Sequence, residues 1–244
     1  PLAVTGAFRG EDKKVILPVS CYLIEHPEGK LLIDTGWDSK YVQERPHRFF
    51  GLLDGISTPI LRPGESVDAR LAECGLCAAD LDYIFFSHMD FDHTSGLRLV
   101  KAVRQIMAAE EEIADSRKYF FRYIKTNWDF ANVQAFRYAD TGVGPVGKSF
   151  DVFGDGRVVL VNTPGHSHGH FNAIVCNGED YVLLAGDAIY TQASIRERCI
   201  PGFTVDAKLA RKSLDWVCAC TADKHCLLTA ANHDPEVPEQ TIEL

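Results

Sequence analysis

Long apolar runs are missing from this sequence: none approaches the roughly 20 residues that a membrane-spanning helix needs. A basic excess is missing too. The 244 residues carry 25 Lys and Arg against 34 Asp and Glu, a net charge of −9, which opposes non-specific nucleic-acid binding. No linker of Pro, Ser and Gly and no low-complexity stretch divides the chain, so one domain spanning residues 1–244 is expected. No basic-then-apolar leader is present, although the sequence starts at Pro1 without a methionine and is expected to have lost something upstream. These absences point to a cytoplasmic protein that binds neither membrane nor nucleic acid. Eight cysteines are present, but several sit in apolar stretches such as "NAIVC", where a reduced thiol behaves as a small hydrophobe. "CGLC" at 74–77 has no second cysteine pair at zinc-finger spacing, so all eight read as ordinary cysteines.

What is present is an alternation of strands and helices. "VSCYLIE" and "KLLIDTG" form a hairpin pattern around "HPEG". A helix is expected over Ser66–Cys74, ended by Gly75, then a strand at "DYIFF". "TSGLRLVKAVRQI" is expected to be helical until a strand near Ile106, and "EEEIADSRKYFFRYIKTNWDF" to be helical throughout. "SFDVF", "RVVLVNT", "FNAIVC", "DYVLLAG" and "HCLLTAA" read as strands, with a helix over "VDAKLARKSLDWVC". The pattern implies two sheets with helices outside.

The chemistry concentrates at strand ends. "SHMDFDHTSG", residues 87–96, places His88, Asp90, Asp92 and His93 directly after an apolar strand. On leaving a strand, His88 and Asp90 share a face, while Asp92 and His93 turn toward a second point. Further donors follow other strands: His166 in "NTPGHSHGH", Asp187 in "LLAGDAIY" and His233 in "LLTAANHD". A carboxylate after so apolar a strand is costly unless a positive partner meets it.

This ordered set, His88-x-Asp90-x-Asp92-His93 and then His166, Asp187 and His233, resembles the signature of the metallo-β-lactamase superfamily. "LLIDTG" and "TPGH" extend the resemblance. Within the superfamily the chain is most similar to the quorum-quenching N-acyl homoserine lactonases, through "SHMDFDHTSG", "DAIYT" and "GFTVDAKLARKSLDWV". The departure is Asp90, where those enzymes have histidine. The resemblance implies an α/β fold, a four-layer αββα sandwich, with two divalent cations. His88, Asp90 and His166 would hold one; Asp92, His93 and His233 the other; Asp187 would bridge them. It implies a hydrolase that opens a lactone or ester, foremost an N-acyl homoserine lactone, by attack of a metal-bridging hydroxide. Tyr190 would stand beside the substrate carbonyl, and Asp92 would pass a proton to the leaving alkoxide. Asp34 would accept a hydrogen bond from a ligand imidazole, His170 would be a structural hydrogen-bonder, and His168 would lie at the rim. Phe49, Phe50 and Leu52 fall where the lactonases contact substrate. Monomers and dimers occur among those enzymes, so a homodimer is among the expected states.

Zinc is the expected metal, with iron or manganese admitted by Asp90: a hard anionic donor adds negative charge to the centre and favours such ions. On that argument, Asp90→His should tighten zinc retention. Three alternatives stay open at this point: a di-iron redox or oxygen-binding protein like the flavodiiron modules, which also carry a carboxylate here; a thioesterase or other hydrolase of the superfamily; and a metal-poor scaffold. The aromatic stretch Tyr119, Phe120, Phe121, Tyr123, Trp128 and Phe130 is expected to be core or interface rather than substrate pocket. His26, His47 and His225 lack a ligand-like context.

Overall fold

The computed structural model describes residues 2–5, 7, 14–43, 57–119 and 122–244. They form two compact units, one built from residues 2–5 and 14–136, the other from residue 7 and 137–244.

In the first unit, β1 (Leu2–Thr5) pairs antiparallel with β2 (Lys14–Leu17) and with β5 (Ser57–Pro59) in a three-stranded sheet. The larger sheet has five strands. The hairpin β3 (Tyr22–His26) and β4 (Gly29–Ile33) is antiparallel; β6 (Tyr83–Phe86), β7 (Gln105–Ala109) and β8 (Val133–Phe136) then add in parallel, in the order β3-β4-β6-β7-β8. Ile84, Phe85 and Phe86 of β6 are all buried, as a central parallel strand covered on both faces requires. α1 (Lys40–Gln43), α2 (Val67–Glu73), α3 (Phe91–Thr94) and α4 (Glu110–Lys118) complete the unit. Leu32, Leu71, Ile84, Phe86, Leu97 and Tyr123 belong to its apolar core.

The second unit is one six-stranded sheet: β9 (Ala139–Asp140), β10 (Lys148–Asp151), β11 (Val158–Asn162), β12 (Phe171–Asn177) and β13 (Asp180–Leu184) run antiparallel, and β14 (Cys226–Ala230) closes the edge parallel to β13. α5 (Gln192–Arg196) precedes α6 (Ala207–Thr221), whose Ala210, Leu214 and Val217 pack with Leu183, Ile189 and Ala231. Asp206 caps α6 by accepting from the Lys208 and Leu209 amides at 2.8 and 2.9 Å.

Two expectations about local structure are corrected. Residues 95–100 wind as a 3-10 helix, not an α-helix. Leu97, Val100 and Val103 are all buried, a spacing of three that matches the 3-10 period. The helix expected from Glu110 to Phe130 stops at Lys118. Beyond it, Tyr123, Trp128 and Phe130 turn into the core of the unit, and aromatic residues give the helix little reason to continue. The first three-stranded sheet was not legible beforehand. Phe49, Phe50, Leu52, His47, Phe120 and Phe121 lie outside the described residues.

Candidate metal centre

The first unit gathers its donors where β4 and β6 end side by side. Asp34 follows β4 in a left-handed conformation with φ 63°, which asparagine and aspartate tolerate best after glycine. The turn it opens is laced to the motif segment: the Thr35 amide donates to the His93 carbonyl at 2.9 Å and the Gly96 amide to the Gly36 carbonyl at 2.8 Å. A Cβ at Gly96 would stand 2.1 Å from the Thr35 oxygen, so this approach needs glycine.

Fully buried, the Asp34 carboxylate accepts from the Ser87 amide at 2.8 Å, from the Ser87 hydroxyl at 2.6 Å and from His93 Nδ1 at 2.8 Å. Because the Ser87 hydroxyl proton points at Asp34, its oxygen accepts from His88 Nδ1 at 3.0 Å. The network therefore puts the protons of both imidazoles on Nδ1 and leaves both Nε2 lone pairs for a cation. His88 Nε2 lies 3.4 Å from Asp90 Oδ2, and His93 Nε2 lies 3.8 Å from Asp92 Oδ2.

The second unit does the same with other elements. His166 sits in the loop after β11. A Cβ at Gly165 would meet the Ala210 backbone at 2.2 Å, and Ser213 of α6 donates to the Pro164 carbonyl at 2.7 Å. Asp187 follows β13, and His233 follows β14. Asp187 Oδ2 stands between two imidazoles, 3.5 Å from His166 Nε2 and 3.2 Å from His233 Nε2. The Tyr190 ring meets the His233 ring edge-on at 4.9 Å and the His166 ring at 6.1 Å. His170 works behind them. Its Nε2 accepts the Asp187 amide at 2.9 Å, so its proton is on Nδ1, directed at the Thr163 hydroxyl at 2.9 Å, which in turn donates to Asn172 at 2.8 Å. His168 is exposed.

Do these residues fit metal ions? An imidazole nitrogen and a carboxylate oxygen that share a tetrahedral cation at about 2.0–2.2 Å stand about 3.3–3.6 Å apart. Two of the four pairs fall in that range, a third lies just below it at 3.2 Å, and the His93–Asp92 pair is looser at 3.8 Å. The donor sets fit.

Three contributors escaped the sequence reading. Ser87 sets the tautomer of His88. Glu112 of α4, fully buried, accepts the Met89 amide at 3.1 Å and so pins the middle of the motif. Arg122 grips Asp90 with both prongs, Nε to Oδ1 at 2.6 Å and Nη2 to Oδ2 at 2.8 Å. Burial opposes the guanidinium charge, but Asp90 more than offsets it and raises the Arg122 pKa well above its ordinary value. The uncompensated charge expected of Asp90 is therefore met by a cation. Ser87 and Glu112 stand in sequence where ordinary strand-end and surface-helix residues would, and Arg122 is 32 positions from Asp90.

Two other histidines among the described residues, His26 and His225, have partners elsewhere. His26 Nδ1 accepts the Glu28 amide at 3.1 Å in the hairpin. His225 pairs with Asp180 at 3.0 Å and Glu179 at 3.4 Å, and the Asp180 hydrogen bond raises its pKa. All eight cysteines are free thiols. No helix among the described residues is long and apolar enough to cross a membrane.

Mixed sheets flanked by helices, with imidazole–carboxylate pairs at the strand ends, define a metal-binding α/β protein. The profile of the metallo-beta-lactamase superfamily matches residues 15–217. An N-acyl homoserine lactonase AttM from Azorhizobium caulinodans is 30% identical over 228 residues, 90% of this chain and 83% of that protein. An N-acyl homoserine lactonase from Bacillus cereus is 31% identical over 202 residues, 81% and 74% of the two chains. A solved N-acyl homoserine lactone hydrolase, with the product N-hexanoyl-L-homoserine at its catalytic metal centre, superposes with a TM-score of 0.75 at 25% identity, covering 96% of this chain and 93% of that one. The chain belongs to the metallo-beta-lactamase superfamily and has its fold, as the motif order implied.

Proposed function

We propose that the protein is a metal-dependent lactonase that opens the ring of an N-acyl homoserine lactone. Its standing as a metallo-hydrolase rests on the superfamily and on lactonase relatives that span most of the chain; those relatives favour hydrolysis over the di-iron redox alternative. The observation that carries the reading is the pairing, within each unit, of imidazole Nε2 atoms with carboxylate oxygens 3.2–3.8 Å away, His88–Asp90 and His166–Asp187 at cation-sharing distance.

By the superfamily's ligand order, His88, Asp90 and His166 would hold one cation, Asp92, His93 and His233 would hold the other, and Asp187 would serve both. The position of Asp187 between His166 and His233 supports its bridging role. We take the ions to be zinc, which accepts both imidazole and carboxylate. When bound, such ions bring the pKa of water from about 15.7 to near 7 and so supply a hydroxide at neutral pH. The protein's own residues do the rest. Asp34 and Ser87 hold His93 and His88 in the tautomer that presents Nε2. His170 fixes the backbone at Asp187. The Tyr190 hydroxyl donates to the carbonyl oxygen as negative charge develops on it. Asp92 takes the proton of the hydroxyl newly added to the carbonyl carbon and passes it to the departing ring oxygen, so that the products are the carboxylate and the homoserine hydroxyl. Phe49, Phe50 and Leu52 are the proposed acyl-chain contacts. Residues 1–244 are read as one domain.

Metal-loaded protein, presented with N-acyl homoserine lactones of short to long chains, should release one proton per ring opened. If no chain length is opened by protein shown to be fully loaded, the substrate class is wrong. Turnover of thioesters or simple esters in the same panel would move the reading to the other hydrolases of the superfamily.

A further inference from the structure

Arg122 is the feature the lactonase reading does not use. Its guanidinium engages both oxygens of Asp90 at 2.6 and 2.8 Å, in the two-pronged geometry that only arginine provides. Both side chains are mostly buried, at 21% and 13% exposed, so solvent screens the pair poorly. Asp90 Oδ2, one of the gripped atoms, is also the one 3.4 Å from His88 Nε2. A carboxylate oxygen has two lone pairs, so it can face the guanidinium and still present a donor beside His88.

The charges around the motif make the pairing meaningful. Asp34 and Asp92 are already anionic neighbours, and Glu112 is buried behind Met89. Histidine at position 90 would be a neutral donor; aspartate alone would add a full negative charge. Aspartate with arginine adds none.

We propose that Asp90 and Arg122 form one neutral donor unit, in which the guanidinium cancels the charge that aspartate brings to a position occupied by histidine in the superfamily signature. Arg122 is thus a positioning residue that sets the net charge of the centre and, through it, the preference among divalent cations. The inference rests on the proposed role of Asp90 as a ligand. It reverses the simpler expectation for Asp90→His, which would place a neutral imidazole against a guanidinium left without its counter-charge.

The test is a chelator competition that measures the affinity of the metal-free protein for Zn2+ alone and for Mn2+ alone, with no substrate present. A charge at contact range shifts a neighbouring ionic equilibrium by about tenfold or more, which fixes the expected sizes. Arg122→Met should bind both ions about tenfold tighter, with the larger gain for Mn2+, the harder ion. Asp90→His should bind about tenfold weaker, and Asp90→His with Arg122→Met should return close to wild type. Arg122→Lys keeps the charge but loses the fork, and should stay close to wild type. Weakening by Arg122→Met and Arg122→Lys alike would overturn the proposal and leave Arg122 a purely mechanical strut. No effect of Arg122→Met would overturn it as well. A wild-type protein that holds no cation would sink this inference and the lactonase reading together. Cations bound with the expected pattern, but no lactone opened, would sink only the latter.

Discussion

Replacing Asp34 by asparagine isolates one carboxylate from everything else at its position. Asparagine matches aspartate in size and tolerates the left-handed backbone at φ 63°, so the change is confined to charge and hydrogen bonding. Asp34 accepts three donors, from the Ser87 amide, the Ser87 hydroxyl and His93 Nδ1. An amide has one oxygen and one NH2 group. Whichever way it is turned, at least one buried donor then faces another donor. A hydrogen bond to a charged acceptor is worth about 1.5–3 kcal/mol, so the metal-free protein should lose about that much unfolding free energy in a denaturant titration. The cation site should suffer separately. With its Nδ1 proton no longer claimed by a carboxylate, His93 is free to move the proton to Nε2 and close its own lone pair. Loss of such an orienting partner costs about 10–100-fold in metal affinity. Chelator competition reads the affinity, and 15N NMR of the imidazole reads the tautomer. Unchanged stability together with unchanged cation affinity would refute the account of Asp34.

Gly96→Ala places a methyl group where the Thr35 oxygen stands 2.1 Å away; pulling the turn after β4 from the motif segment should lower both melting temperature and cation content, and a variant with wild-type values would show that the approach is loose. Tyr190→Phe should lower kcat by about 10²–10³-fold, the usual cost of one lost oxyanion donor, with cation content unchanged; a kcat within twofold of wild type would remove Tyr190 from the chemistry. His225 should titrate above its ordinary value of 6.5 because Asp180 stabilises the imidazolium. Its contribution to stability is therefore whole below the unfolded pKa and fades as pH rises through the higher folded one; an NMR titration that Asp180→Asn leaves unmoved would contradict this.

Much of the architecture was legible because local signals agreed. Leu31–Ile33 and Ile84–Phe86 are short apolar runs with turn residues or polar ligands at their ends, and both are buried strands. The donors were legible because each breaks an apolar pattern at a strand end, and because their order matched a superfamily signature. What stayed hidden was cooperative. Arg122 lies in an aromatic stretch, and its partner is 32 residues away. Glu112 belongs to the acidic first turn of α4 and reads as solvent-facing, yet it is buried. Helical spacing misled over residues 95–100 because buried residues three apart satisfy two kinds of helix. Ser87 is a common strand-end residue whose value depends on Asp34, which arrives from another strand.

The central claim is that the imidazoles and carboxylates at these strand ends hold a pair of divalent cations for hydrolysis. Metal analysis of gently purified protein by mass spectrometry tests it most directly. The account predicts two divalent ions per chain, falling to one or fewer in Asp187→Ala. Well under one ion per chain, with no gain when zinc is supplied, would contradict it.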